Sequence, residues 1–168
     1  DDFAYTPEQN IAHAMTALMA QNKGAGKIDR MKEGFRCGII LETIYGILIF
    51  IICFALARPL MMMFVKDEEV IGHGLTYLHL ISVMYLLPAL TNGIQGFFRG
   101  IGDLKITLIS SFINMALRVL AAAPLVFIWK MGIEALPYSY LAGWIGMLVA
   151  ETPLLLKTYK TWGKKAGQ

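Results

Sequence analysis

Charge is what this sequence has least of. Only 16% of its 168 residues are Asp, Glu, Lys or Arg, where soluble domains average about 25%. Too few ionic groups remain to coat a water-soluble bundle, so lipid is the expected solvent. Cysteine is almost missing as well. Cys37 and Cys53 lie at or within an apolar run, without CxxC spacing or a nearby histidine pair, which argues against a disulfide or a zinc site. They read as buried thiols with no chemical task. Neither HExxH nor GxSxG occurs, so a membrane-embedded enzyme would lack its nucleophile or metal. The net charge is only +3, and no polar domain carries the basic face that nucleic acid requires. The opening residues, DDFAYTPEQN, have neither an initiator Met nor the cationic start of a signal peptide, and they read as the interior of a longer protein.

What is present is apolar length. A bilayer span takes about 20 mostly apolar residues, and four segments qualify. Residues 37–57 contain one acid, Glu42; residues 70–98 contain no Asp, Glu, Lys or Arg; residues 106–129 contain only Arg118; residues 135–156 contain only Glu151. A fifth, weaker segment covers about residues 6–20. The runs are too long for barrel strands and show no apolar–polar alternation, so helices are expected throughout.

If successive helices alternate direction, segments 21–36, 99–105 and 157–168 share one side. They hold eleven Lys and Arg, against three (Arg58, Lys66, Lys130) on the other. That asymmetry places the basic side in the cytoplasm.

Polar residues at membrane depth are costly and normally face protein or water. Here they fall on stripes at helical spacing: Tyr85, Asn92, Gln95 and Arg99 with Pro88; Thr107, Ser111, Asn114 and Arg118; Thr6, Gln9, His13 and Thr16; and Tyr140, Trp144, Met147 and Glu151. Such stripes either bond neighbouring helices or line a cavity in which aromatic and Met side chains receive an amphipathic cation. Glu42 and Glu151 lie close to the basic ends of their runs, within reach of headgroups and loop lysines. Arg118 is mid-run without a local acid, and it is expected to find partners on the Tyr85–Asn92–Gln95 stripe. Pro88, Pro124 and Pro153 each remove a backbone hydrogen bond inside a run and are candidate kinks.

The stretch QNKGAGK (21–27) suggests a phosphate-binding loop at first sight. A P-loop needs four residues between its glycines, Ser or Thr after the lysine, and a strand before it. This stretch follows a helix, has one residue between Gly24 and Gly26, and places Ile28 after Lys27. A tight helix end at the membrane surface is the better account.

The same stretch resembles the Q-N-x-G-A-G-K loop of multidrug and toxic compound extrusion (MATE) transporters. FFRGIGDLKI (97–106) resembles that family's R-G-x-G-D cytoplasmic turn, and NMALRVLAAAPL (114–125) is similar to its following helix, which carries one arginine. The three fall in the family's order. The resemblance implies an all-α polytopic membrane helix bundle: residues 1–168 form about five transmembrane helices, most of the second six-helix lobe of a two-lobe transporter. The helices are expected at about 6–21, 36–57, 69–98, 104–129 and 135–158, followed by a cytoplasmic tail, 159–168. The implied activity is antiport, exporting drugs and organic cations in exchange for Na+ or H+, without a cofactor and not as an enzyme. A lipid-linked oligosaccharide flippase of the same architecture is the alternative. Tyr85, Asn92, Gln95, Asn114, Arg118, Trp144 and Glu151 are the candidates for the substrate or ion pathway. The expected partners are membrane lipid, the N-terminal lobe of the same polypeptide and small cationic or amphipathic substrates; the expected setting is the plasma (inner) membrane. Some branches of the family place an acid midway along the tenth helix, where this sequence has Pro88, so the coupling carboxylate is expected elsewhere.

Overall fold

The structure, a computed structural model, describes the backbone of residues 2–165 and the side chains of residues 4–162. The described residues form helices and short connections: α1 (Asp2–Gly24), α2 (Ile28–Ala55), α3 (Ala57–Met62), α4 (Glu68–Met84), α5 (Leu86–Gly100), α6 (Leu104–Phe127) and α7 (Ala135–Lys165). Three of them, α2, α6 and α7, are long and apolar enough to cross a bilayer, and α4 with α5 qualify together as a bent pair. The more polar α1 lies against α2 and α5.

Several boundaries differ from the expected ones. The segment at 36–57 begins at Ile28, because IDRMKEGFR continues the helix and buries Met31 and Phe35 on one face. Only residues 25–27 separate it from α1. The run at 69–98 is two helices that meet at 45°. Pro88 has no N–H to offer the Met84 carbonyl, and α4 ends at Met84, as that missing bond requires. Pro124 and Pro153, by contrast, lie inside α6 and α7 without dividing them. The last helix continues past 158 because its end packs on the core: Phe97 lies 5.2 Å from the Trp162 ring, and the Tyr159 hydroxyl donates to the Lys32 carbonyl at 3.4 Å. The expected tail at 159–168 is therefore helical through Lys165, and residues 166–168 lie outside the described part. The turn after α2 contains the short α3, and Asp67 caps α4 through the amides of Glu69 and Val70. Cys37 is exposed and Cys53 half-buried, both as free thiols.

The axis of the bundle is α5, packed by α1, α2, α6 and α7. Its glycines let α1 approach closely. A Cβ at Gly96 would lie 2.6 Å from the Ala12 carbonyl oxygen, and one at Gly100 2.6 Å from that of Thr16. The Thr16 hydroxyl donates to Ala12 O at 2.9 Å and lies 3.1 Å from Gly96 O, bridging the two backbones. Small residues perform this service in membranes, where packing replaces the hydrophobic effect between helices.

Two of the three stretches that carried the family resemblance end α1 and α5 in the same way. Gly26 and Gly102 take positive φ, 67° and 81°. The amides of Lys27 and Asp103 reach back to the carbonyls of Asn22 and Phe98, at 2.9 Å each. Each is a Schellman termination, which needs glycine at the left-handed position. Lys23 then donates to the Ile101 carbonyl, tying the two ends together on the basic side of the bundle.

Replacing Gly96 by Val should drive a side chain into the α1 backbone. Overpacking of this kind costs about 1–3 kcal/mol, so the detergent-solubilised protein should unfold at a clearly lower temperature. Gly72→Ala, on an exposed helix face with open space around it, should leave the midpoint unchanged. Equal midpoints for both variants would refute the crossing.

Candidate functional site

Four helices enclose a cavity of about 440 Å³. One wall is the first half of α5, which contributes Pro88, Thr91, Asn92 and Gln95; α6 contributes Ser111, Asn114 and Arg118; α7 contributes Tyr140, Trp144 and Met147; and Tyr5 reaches in from α1. Five expected pathway residues are thus brought together: Asn92, Gln95, Asn114, Arg118 and Trp144. Two are not. Tyr85 stands at the α4–α5 break, and the bend turns its ring away into a cluster with Ala4 and Ile81. Glu151 is fully enclosed one turn further along α7 than Met147, beside Ser110 and Gln95.

Among the described residues, Arg118 is the only charged one on the cavity wall. Its partner is the Tyr140 ring, with the guanidinium carbon 3.8 Å from the ring centroid, rather than the Tyr85–Asn92–Gln95 stripe. The hairpin geometry explains this. Gly143 lies directly against the Arg118 stem, so α6 and α7 close together and the arginine extends over α7's own aromatic residue. A guanidinium over a ring gains about 0.5–1 kcal/mol where exposed and about 2 or more when desolvated. Trp144 continues the aromatic wall, 5.8 Å from Tyr140. Across the cavity the Gln95 amide donates to the Ser111 hydroxyl at 3.3 Å.

The stripe expected from Thr6, Gln9, His13 and Thr16 points the other way. The face of α1 that packs inward is Ala4, Glu8, Ala12, Met15 and Met19, while Thr6, Gln9 and His13 are exposed and Thr16 half-buried. Glu8 is the residue that the sequence reading passed over. It is 1% exposed and accepts a hydrogen bond from the Asn92 amide. The available signal was its i, i+4 spacing from Ala4 and Ala12, on a small-residue face suited to close packing.

Glu42 and Glu151 do not reach headgroups. Both are fully buried, and among the described residues neither carboxylate has a well-formed hydrogen bond, although Ser110 and Gln95 lie close to Glu151; the Arg99 Nε is likewise enclosed and without a partner among them. Glu42 sits on the inward face of α2 with Met31, Phe35, Gly38 and Gly46, and its Cγ lies 3.4 Å from where a Cβ at Gly93 would be.

This arrangement matches known proteins. The chain is 24% identical over 172 residues to the probable multidrug resistance protein NorM of Thermotoga maritima, covering 99% of this chain and 36% of that protein. It is 29% identical over 170 residues to the probable multidrug resistance protein YoeA of Bacillus subtilis, covering 97% and 35%. It therefore spans about a third of the length of these relatives. In fold it superposes with a TM-score of 0.82, at 15% identity, on the inward-facing conformation of a multidrug resistance MATE family transporter, covering 86% of this chain and 33% of that one. The MatE family model matches residues 1–123. A multi-pass helical membrane protein, this chain belongs to the MatE family.

Proposed function

We propose that the chain is most of the second lobe of a two-lobe antiporter that exports drugs and organic cations in exchange for Na+ or H+. The observation that carries this reading is the cavity between α1, α5, α6 and α7, of which α6 and α7, and α5 together with α4, are apolar enough to cross a bilayer. Its volume of about 440 Å³ falls within the roughly 300–1,000 Å³ typical of drug-sized ligands. Tyr5 and Trp144 offer ring faces to a cation, Tyr140 carries Arg118 on one face, Met147 offers adaptable apolar bulk, and Asn92, Gln95 and Asn114 orient polar groups. The exposed polar face of α1, with Gln9, Asn10 and His13, suits contact with the N-terminal lobe better than contact with lipid, which leaves polar groups unsatisfied.

A flippase of the same architecture would favour a cationic cavity for its lipid diphosphate. Arg118 is the feature that speaks for it, but one guanidinium covered by Tyr140 makes this the second reading. The end carrying Lys23, Lys27, Arg30, Lys32 and Arg36 faces the cytoplasm of the plasma membrane in this proposal.

Orientation can be checked in the full-length protein after replacing Cys37 and Cys53 by Ser. An impermeant thiol reagent added outside intact cells should label Lys66→Cys and not Lys27→Cys; the opposite pattern would invert the topology. For the cavity, Tyr140→Ala with Trp144→Ala should reduce ethidium efflux about tenfold at unchanged membrane abundance, as loss of cation–π contact in a partly desolvated site predicts. Arg118→Leu should keep its abundance and alter efflux. Arg118→Glu with normal abundance and normal efflux would place the residue outside the pathway and sink the assignment.

A further inference from the structure

On the basic side of the bundle, α2 and α7 border a groove of about 700 Å³ that shares no residue with the cavity. Both helices change character at its level. On α2, Arg36 directly precedes the apolar run 37–57, and on α7, Lys157 directly follows the run 135–156. The Phe35 and Tyr159 rings lie 5.6 Å apart, and the Tyr159 hydroxyl donates to the Lys32 carbonyl. The two apolar runs are therefore held side by side where they end, at the depth where aromatic residues gather in membrane proteins.

The groove is divided by chemistry. Its inner part is walled by Ile39, Ile40, Leu155 and Leu156, and its outer part carries Lys32 and Arg36. Ile40 is 48% exposed and Leu156 56%, so the apolar wall stands open among the described residues. Lys32, Arg36 and Ile40 recur at four-residue intervals, which sets the cations and the apolar wall in line on one face of α2. Two acids lie near. Glu33 is on the same rim, and the exposed Asp29 is 3.9 Å from Lys32. They offset the two groove cations, but an adjoining groove that shares Leu156 brings Lys157 and Lys160 from α7. The balance stays positive.

A free acyl chain would use the apolar wall and leave the cations idle. A soluble anion would use the cations and leave the wall wet. A phospholipid meets both demands, and a net negative headgroup gains most from the surplus of positive charge. Anionic lipids also concentrate in the cytoplasmic leaflet, the side that this end faces in the orientation proposed above. We propose that the α2–α7 groove is a binding site for one anionic diacyl phospholipid, its phosphate held by Lys32 and Arg36 and its chains lying on Ile39, Ile40, Leu155 and Leu156. The site goes beyond the antiport reading and does not depend on what the cavity carries. Its occupant bridges α2, which packs on α1 and α5, to the α6–α7 hairpin.

The test uses the full-length protein purified in detergent, with palmitoyl-oleoyl phosphatidylglycerol as the probe and the ethanolamine and choline lipids of the same chains beside it. Native mass spectrometry should show one phosphatidylglycerol retained at a concentration about tenfold below that needed for either zwitterionic lipid. Lys32→Gln with Arg36→Gln should weaken phosphatidylglycerol binding about tenfold, short of the roughly thirtyfold that two full charges would give, because Asp29 already offsets part of Lys32. Binding of the choline lipid should not change. Lys27→Gln with Lys105→Gln removes equal charge from the same side outside the groove and should leave phosphatidylglycerol binding as in wild type. Glycerophosphoglycerol, the headgroup without chains, should not compete even in large excess. Equal retention of the three lipids by wild-type protein overturns the proposal, and that comparison needs no variant to fold. Equal losses in the two double variants would also overturn it, by showing a diffuse basic surface. So would competition by glycerophosphoglycerol, which marks a soluble-anion site, or wild-type protein that retains no lipid, which marks a groove filled by another part of the polypeptide.

Discussion

The close crossing of α1 and α5 is the constraint on which the rest of the lobe depends. The two helices run side by side in the same direction, in a register that repeats every four residues: Glu8 with Asn92, Ala12 with Gly96, Thr16 with Gly100. Where Ala12 meets Gly96 the backbones nearly touch, and Thr16 shares its hydroxyl between them. Lipid supplies no hydrophobic force between helices, so dispersion across such a seam and its few hydrogen bonds must hold it. One turn above the tightest contact, the same register sets a carboxyl group against an amide. Packing thereby creates the polar pair, and a shift of one residue along α1 would remove it.

From that seam the cavity follows. Because α5 is held by α1 and α2 on one side, its Gln95 turns toward Ser111 of α6, while Asn92 lines the cavity and also reaches Glu8 of α1. The 45° break before Pro88 ends the wall at its upper edge and diverts Tyr85 into the apolar cluster. The aromatic side is built independently by the α6–α7 hairpin, where Gly143 and Gly146 allow the helices to close and Arg118 settles over Tyr140. Two helix groups of different construction therefore meet at one polar space.

The buried acids divide by their surroundings. Glu151 has Ser110, Gln95 and Arg99 nearby, groups able to accommodate its charge. Glu42 has Glu8, a like charge, nearby. Placing Gly93 rather than a larger residue next to it leaves the space it occupies. Polar groups retained at such cost inside a membrane protein mark function more often than stability.

The sequence by itself determined the solvent, the helical class and the glycine turn that closes α1. Long runs nearly without charge admit no other structure in lipid, and Gly26 and Gly102 terminate helices where only glycine takes that backbone freely. The spacing also put Asn114 and Arg118 on one face, and Trp144 and Met147 on another. It left undecided which face of each helix turns inward. On α1 both faces carry polar residues, so Thr6–Gln9–His13 was as good a stripe as Ala4–Glu8–Ala12 until α5 packed against the smaller one. Arg118's partner and the burial of Glu42 were open for the same reason. Periodicity ranks the residues around one helix axis, but the rotation of that axis is set by the neighbours, through contacts between residues as far apart in the chain as Glu8 and Asn92. Only the tertiary structure could decide it.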